Sequence, residues 1–243
     1  MKEQIYTIPV NEAYDTDSEC PMCLLESKLE KETLDYTLGA AMMEPDFREN
    51  SNKKGYCNHH FELLFDKQNK LPLALILDTH FQEARKALSE TAKKAPSSKG
   101  GLFKKKDGYA RTLSEKLTQI ADGCIVCDKI NHTMERYADV LMYMWVNEPE
   151  FRAKFDNSKG LCLRHMKLLC DTAEKSIGSK ANEFLSAMIE KEIKELERVQ
   201  DDIHRFTLKF DYRNKDMEWG TAKDAPIRTI EKLTGYINSA NKD

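Results

Sequence analysis

The chain is 243 residues long, with 40% apolar and 33% charged residues, a net charge of −3 and a pI near 6.1. That length supports one large domain or two smaller ones that fold without staples. A mean hydropathy of −0.65, with only 10 Gly and 7 Pro, favours a charge-rich helical protein over a turn-dense all-β one. The acidic balance makes nucleic acid an unlikely partner on composition.

The opening segment, MKEQIYTIPVNEAYD, has no apolar h-region and no small-residue cleavage site, so no signal peptide is expected. The longest apolar stretch, near 71–77, is far short of a bilayer span, and no membrane role is expected. The expected location is cytoplasmic. Seven cysteines in a reducing compartment point to metal or redox use rather than structural disulfides.

In chain order, the first predicted helix follows Cys20 and Cys23 and covers roughly 24–43, with Leu25, Leu29, Leu34 and Leu38 near helical spacing. Pro45 suits the first turn of a short helix. A loop with Gly55 leads to Cys57 and His60, where another helix begins with Phe61, Leu64 and Phe65 on its apolar face. Pro72 breaks it and opens the next, roughly 72–94. Residues 95–108 read as a linker, and the dense basic run Lys104, Lys105 and Lys106 within it reads as solvated.

The second half repeats this order. A helix over 110–122, an element that the first half is expected to lack, leads into Cys124 and Cys127. The next helix, 128–146, carries a stripe of Ile130, Met134, Tyr137, Leu141 and Met144. Pro149, the loop at Gly160, and Cys162 with His165 follow, then a helix carrying Met166, Leu169 and Cys170, with a break near Gly178. The segment 181–210 is long and amphipathic, with Leu185, Ile189, Ile193, Leu196, Val199, Ile203 and Phe206 on one face, expected to pack in the core. The tail from Asp211 holds Trp219 and a short helix started by Pro226 and ended by Gly235.

These matches amount to a duplication. Glu44-Pro45-Asp46-Phe47-Arg48 returns as Glu148-Pro149-Glu150-Phe151-Arg152, and Cys20/Cys23 as Cys124/Cys127, each 104 positions later. Gly55, Cys57 and His60 return as Gly160, Cys162 and His165, 105 positions later. The expected fold is all-α: a helical repeat over 1–94, the linker 95–108, a second repeat over 109–210, and a tail, 211–243, with its short helix. Each repeat is expected to carry its own Cys3His metal site.

Zinc takes four ligands in a tetrahedron, and thiolates with an imidazole suit it. Cys-x-x-Cys and Cys-x-x-His each bring two donors to one side of a helical turn. The candidate ligands are Cys20, Cys23, Cys57, His60, Cys124, Cys127, Cys162 and His165, holding two zinc ions. Each half-site sits at a predicted helix N-terminus, where the dipole and free N–H groups favour thiolates. Pairing within a repeat is preferred, but it is taut: the first helix is roughly 34 Å long and the return spans at most about 32 Å. The alternative pairs Cys20/Cys23 with Cys162/His165 across repeats. An iron–sulfur cluster and a thiol–disulfide pair are the rival chemistries.

His59 neighbours His60, but its counterpart is Arg164, so the repeat selects His60 as ligand. Cys170 has no cysteine counterpart and is expected to be a buried apolar thiol. His80, His132 and His204 are expected in ordinary packing or surface roles.

The series Cys-Pro-Met-Cys, Gly-Tyr-Cys-Asn-His-His, Cys-Ile-Val-Cys and Gly-Leu-Cys-Leu-Arg-His resembles an uncharacterised bacterial family of about 240 residues. The tail, from Phe210-Asp211-Tyr212-Arg213 through Trp219-Gly220 to Pro226-Ile227-Arg228, is similar to that family's C-terminal region. Members are often labelled transporter substrate-binding proteins, but neither an export signal nor a two-lobed α/β pattern is expected from this sequence. The resemblance implies no activity. The expected function is that of a non-catalytic adaptor or regulator with two structural zincs and an unidentified protein partner. The alternatives are a thiol-based metal or redox sensor, a nucleic-acid-binding module and a metalloenzyme. No nucleophile–base constellation, Walker-type loop or Gly-x-Gly-x-x-Gly fingerprint supports the last. The oligomeric state is left open.

Overall fold

A computed structural model describes residues 4–95 and 107–237, and among them every regular element is helical. Most of the expected linker, with its lysine run, lies outside the described residues. None of the described helices is long and apolar enough to cross a membrane.

The helices are α1 (Thr7–Tyr14), α2 (Pro21–Leu38), α3 (Pro45–Lys54), α4 (Asn58–Asp66), α5 (Lys70–Ala92), α6 (Asp107–Ala121), α7 (Ile125–Asn147), α8 (Pro149–Asn157), α9 (Leu163–Ile177), α10 (Ala181–Leu208) and α11 (Ala225–Thr234). Local chemistry sets many of the boundaries. Pro45 and Pro149 open α3 and α8 in the first turn, where a missing N–H costs nothing. Gly55, Gly178 and Gly235 take positive φ where α3, α9 and α11 end. Asn69 caps α5 by accepting from Leu71 N, so the break falls just before Pro72, which sits in the first turn of α5. Helix α1, ahead of the first Cys-x-x-Cys, is too short for its pattern to announce it, and it holds the place in the first half that α6 holds in the second.

The compact units do not follow the sequence halves. One comprises residues 1–28 and 132–243, the other 29–131. These units differ from the expected repeats at 1–94 and 109–210: each takes helices from both halves, because α2 and α7 each contribute one end to each unit.

In the first unit, α1 lays Val10, Ala13 and Tyr14 into the core. The Tyr14 ring meets Phe151 edge-on at 5.1 Å, and Phe184 meets both Trp145 and Phe155, at 5.2 and 5.8 Å. Such clustered aromatics supply much of a core's buried area. Helices α9, α10 and α11 pack on one another. The buried line of α10 is Ala181, Phe184, Met188, Glu192, Val199 and Asp202. It is rotated by about one residue from the expected apolar stripe, and Ile189 and Ile193 are 46% and 50% exposed. The reason is that α10 buries two carboxylates against cations of α11. Glu192 meets Lys232, and Asp202 meets Arg228. A stripe drawn from apolar residues alone skips both acids.

In the second unit, α3 and α6 pack on α5. The buried side chains include Leu34, Tyr56, Leu64, Leu73, Ile76, Val126 and Ile130. Tyr36 packs on Phe47 at 5.4 Å and Tyr56 on Phe61 at 5.3 Å.

Candidate metal centres

All four half-sites sit where a helix begins. Cys20 and Cys124 immediately precede α2 and α7; Cys57 and Cys162 are the N-cap residues of α4 and α9. The second member of each motif lies three residues on, within the first turn. Gly55 and Gly160, at φ of 71° and 80°, turn the chain into Cys57 and Cys162. That backbone region is one that glycine enters without penalty.

The eight expected ligands form two clusters, each within one unit. Cys20, Cys23, Cys162 and His165 meet in the first, and Cys57, His60, Cys124 and Cys127 in the second, with donor atoms within 4.8 Å of one another. The preferred pairing within repeats is thus overturned. Helix α2 carries its cysteine pair away from Cys57 and His60, and the near-exhausted span of the return segment is the physical reason why crossing wins.

In the first cluster, His165 Nδ1 lies 3.4, 3.4 and 3.2 Å from Sγ of Cys20, Cys23 and Cys162. In the second, His60 Nδ1 lies 3.2, 3.2 and 3.3 Å from Sγ of Cys57, Cys124 and Cys127. The Cys23–Cys162 and Cys57–Cys127 sulfur separations are 3.6 and 3.7 Å. A tetrahedral ion with bonds of ordinary length puts its sulfurs about 3.8 Å apart and sulfur and nitrogen about 3.6 Å apart. These sulfur–sulfur separations lie near that value, the sulfur–nitrogen ones a few tenths of an ångström short of it, and sulfurs 3.6–3.7 Å apart form no disulfide.

Proton equilibria point the same way. Hydrogen bonds from Cys20 and Cys23 pull the Cys162 thiol far down, while burial pushes Cys20 up and the bond to Cys162 pushes Cys23 up to about 12. In the second cluster burial opposes ionisation of Cys124, yet hydrogen bonds from His60 and the Cys127 N–H bring it down to about 6. Burial pushes Cys127 up. His60 is driven up to about 10, against its own burial, by Cys124 and Glu30. Each cluster thus favours one thiolate and holds protons on other thiols. A bound cation displaces those protons and lets all three sulfurs ionise.

An outer layer of groups surrounds the ligands. Glu30 Oε1 lies 3.2 Å from His60 Nε2 and 3.1 Å from His59 Nε2. Hydrogen bonding from His60 holds the Glu30 carboxyl below the usual range. Glu26 Oε2 lies 3.6 Å from His165 Nε2 and also accepts from Arg164. Both histidines thus offer Nδ1 to the thiols and direct Nε2 at a carboxylate from α2, an arrangement that orients a metal-bound imidazole. His59 is not a thiol partner, as the repeat pattern implied; it grips Glu30 as Arg164 grips Glu26.

The loop before Cys162 is locked as well. Glu192 Oε2 accepts from Leu161 N at 2.7 Å, and Lys232 Nζ donates to Leu161 O, to Lys159 O and to Glu192 Oε1. Sequence reasoning missed Glu26, Glu30, Glu192 and Lys232. The i,i+4 spacing of Glu26 and Glu30 was the one visible trace of the first pair.

Residues 1–240 match the profile of a family of unknown function, DUF6062. The chain belongs to that family. An uncharacterized 23.9 kDa protein in the xynA 3' region of Caldicellulosiruptor sp. (strain Rt8B.4) is 23% identical over 199 residues, covering 82% of this chain and 85% of that protein. No solved structure matches the chain. An uncharacterised family of about this length was the resemblance read from the cysteine motifs.

Other expected residues fall outside the clusters. Cys170 is exposed, not buried. The buried face of α9 runs through His165, Met166, Leu169 and Ala173, and position 170 lies one helical step beyond it. His80 bonds Asn52 O through Nδ1 at 2.7 Å and packs against Gly55, while His132 and His204 lie at the surface.

Proposed function

We propose that the protein binds two zinc ions in structural Cys3His centres and works without catalysis, as an adaptor or regulator. One observation carries this reading: in both clusters four protein donors converge within 4.8 Å of one another, enough to fill the coordination of a tetrahedral ion. A catalytic zinc keeps a corner for water or substrate. An iron–sulfur cluster needs room between its thiolates for an inorganic core, and sulfurs 3.6–3.7 Å apart leave none. Among single ions, zinc suits soft thiolates in tetrahedral geometry. Thiols kept as ligands fit a reducing, cytoplasmic setting.

The adaptor role draws support from α5. Its outward face carries Leu71, Leu75, Leu77 and Phe81, all exposed. Exposed apolar patches of this kind suit a protein partner, and a net charge of −3 gives no overall attraction for nucleic acid.

Elemental analysis of protein purified without added metal tests the reading. Two equivalents of zinc per chain are expected. Substoichiometric metal would remove the proposal, and so would a Cys162→Ser variant that keeps the fold and both ions.

A further inference from the structure

The two centres share a donor set but differ in how firmly the protein encloses them. In the 1–28/132–243 unit all four ligands are buried; in the 29–131 unit Cys57 and Cys127 are only half-buried. The enclosing groups differ in the same sense. The Cys162 loop is clamped on both sides of Leu161 by the buried Glu192–Lys232 pair, and the Tyr236 N–H reaches the Cys23 thiol. Gly235 lies against Arg164, where an added Cβ would stand 3.2 Å from Nη2. The C-terminal segment thus covers this centre.

The Cys57 loop has lighter support. His80 packs against Gly55 and bonds Asn52 O, Ile125 N donates to Gly55 O at 3.1 Å, and the Lys54–Asp128 ion pair is half exposed. The outer carboxylates do not separate the centres: Glu26 is held by Arg164 and Glu30 by His59, and both partners are more than half exposed. The difference lies in the ligands themselves and in the loops that carry them.

We propose that the centres divide the work: the Cys57/His60/Cys124/Cys127 centre, though it too is built around its ion, exchanges its zinc with solvent ligands, while the Cys20/Cys23/Cys162/His165 centre retains its ion. The step is ligand exchange with no electron transfer. An incoming thiolate or chelator donor bonds the ion from the open side, and Cys57 or Cys127 leaves as a thiolate and takes up a proton. A protein that exchanges one ion while its other unit stays intact can report zinc or thiol status to a partner. This inference rests on the two-zinc reading above.

The test is a chelator challenge of the full-length, zinc-loaded chain in the presence of N-ethylmaleimide, with labelled cysteines mapped by mass spectrometry over time. Exposed Cys170 labels at once and serves as the internal reference. Cys57, Cys124 and Cys127 should label together, with loss of the first zinc equivalent, roughly tenfold or more faster than Cys20, Cys23 and Cys162. Equal rates, or the reverse order, overturn the division while leaving two bound zincs intact. Absence of two zinc equivalents at the start overturns the two-zinc reading and the division with it.

Discussion

Glu192 and Lys232 form an ion pair 2.9 Å long with both side chains 1% exposed. The pair also completes the hydrogen bonding of the Leu161 amide and carbonyl, the residue just ahead of Cys162. Burial, joined by the nearby charge of Glu195, pushes the Glu192 carboxyl up against the pull of Lys232 and the Leu161 N–H. A buried pair adds little net stability, but removing one partner strands the other. Lys232→Met should therefore cost about 3–5 kcal/mol. Glu192→Gln/Lys232→Met should recover part of that loss, since the Gln carbonyl still accepts from Leu161 N. Urea unfolding of the zinc-loaded proteins measures both. A double variant no better than the single one would mean that the lysine acts through packing rather than charge.

The crossed pairing of half-sites makes a counting prediction. Cys20→Ser and Cys162→Ser should each lose the same single equivalent of zinc, and the double variant should lose no more than either. Cys20→Ser/Cys57→Ser should lose both equivalents. If ligands paired within the sequence halves, Cys20 and Cys57 would share an ion and that double variant would retain one. Zinc content by mass spectrometry decides between the patterns.

That contrast marks how far the sequence could be read. The residues that come together were legible because a duplicated Cys-x-x-Cys and Cys-x-x-His are short-range patterns, set within one helical turn each. The all-helical class was legible from periodicity, and so were the Pro and Gly boundaries at Pro45, Pro149, Gly178 and Gly235. Which half-site met which was not, since that depends on where α2 and α7 carry their ends, and two equivalent partners satisfy the same local chemistry. The buried charges of α10 were hidden for a related reason: Glu192 and Asp202 count as surface until α11 supplies Lys232 and Arg228.

The carboxylates of α2 give a second-layer prediction. Glu30 faces His60 Nε2 and Glu26 faces His165 Nε2. Replacing either with Gln keeps the shape but removes the charge that favours a correctly oriented, electron-rich imidazole. Each change should weaken zinc roughly 10–100-fold at its own centre and leave the other unchanged. Competition with a calibrated chelator reads this out. An equal effect at both centres would point to a general loss of stability instead.

Gly160 offers a backbone test. Its φ of 80° disfavours any side chain, and an added Cβ would collide with the Glu192 carboxylate that holds the loop. Left-handed backbone alone costs an L-residue about 1–2 kcal/mol, and moving Glu192 sacrifices its bond to Leu161 N. Gly160→Ala should thus destabilise the protein by more than that backbone cost and slow zinc uptake at Cys162. Gly55→Ala meets the His80 ring instead. An imidazole has more room to yield than a buried ion pair, so the smaller penalty is expected there, by thermal unfolding of the zinc-loaded chains.

Asp202 supplies a pH dependence whose sign follows from its partners. Burial works against its ionisation, but hydrogen bonds from Thr221 and Arg228, at 2.6 and 2.9 Å, outweigh that and hold the carboxyl below its ordinary value of 3.8. Its folded pKa is depressed, so its contribution is complete above the unfolded value and disappears as pH falls through the folded one. Asp202→Asn should cost about 1–3 kcal/mol at neutral pH, the range for leaving a buried charged partner short of a hydrogen bond. The gap from wild type should stay flat from pH 7 to about 5 and shrink only below about 4. Acid loss of zinc affects both proteins and cancels in the difference, so paired urea midpoints across that range isolate the carboxylate. A gap that already closes near pH 6 would transfer the effect to a histidine and remove Asp202 as the anchor of α11.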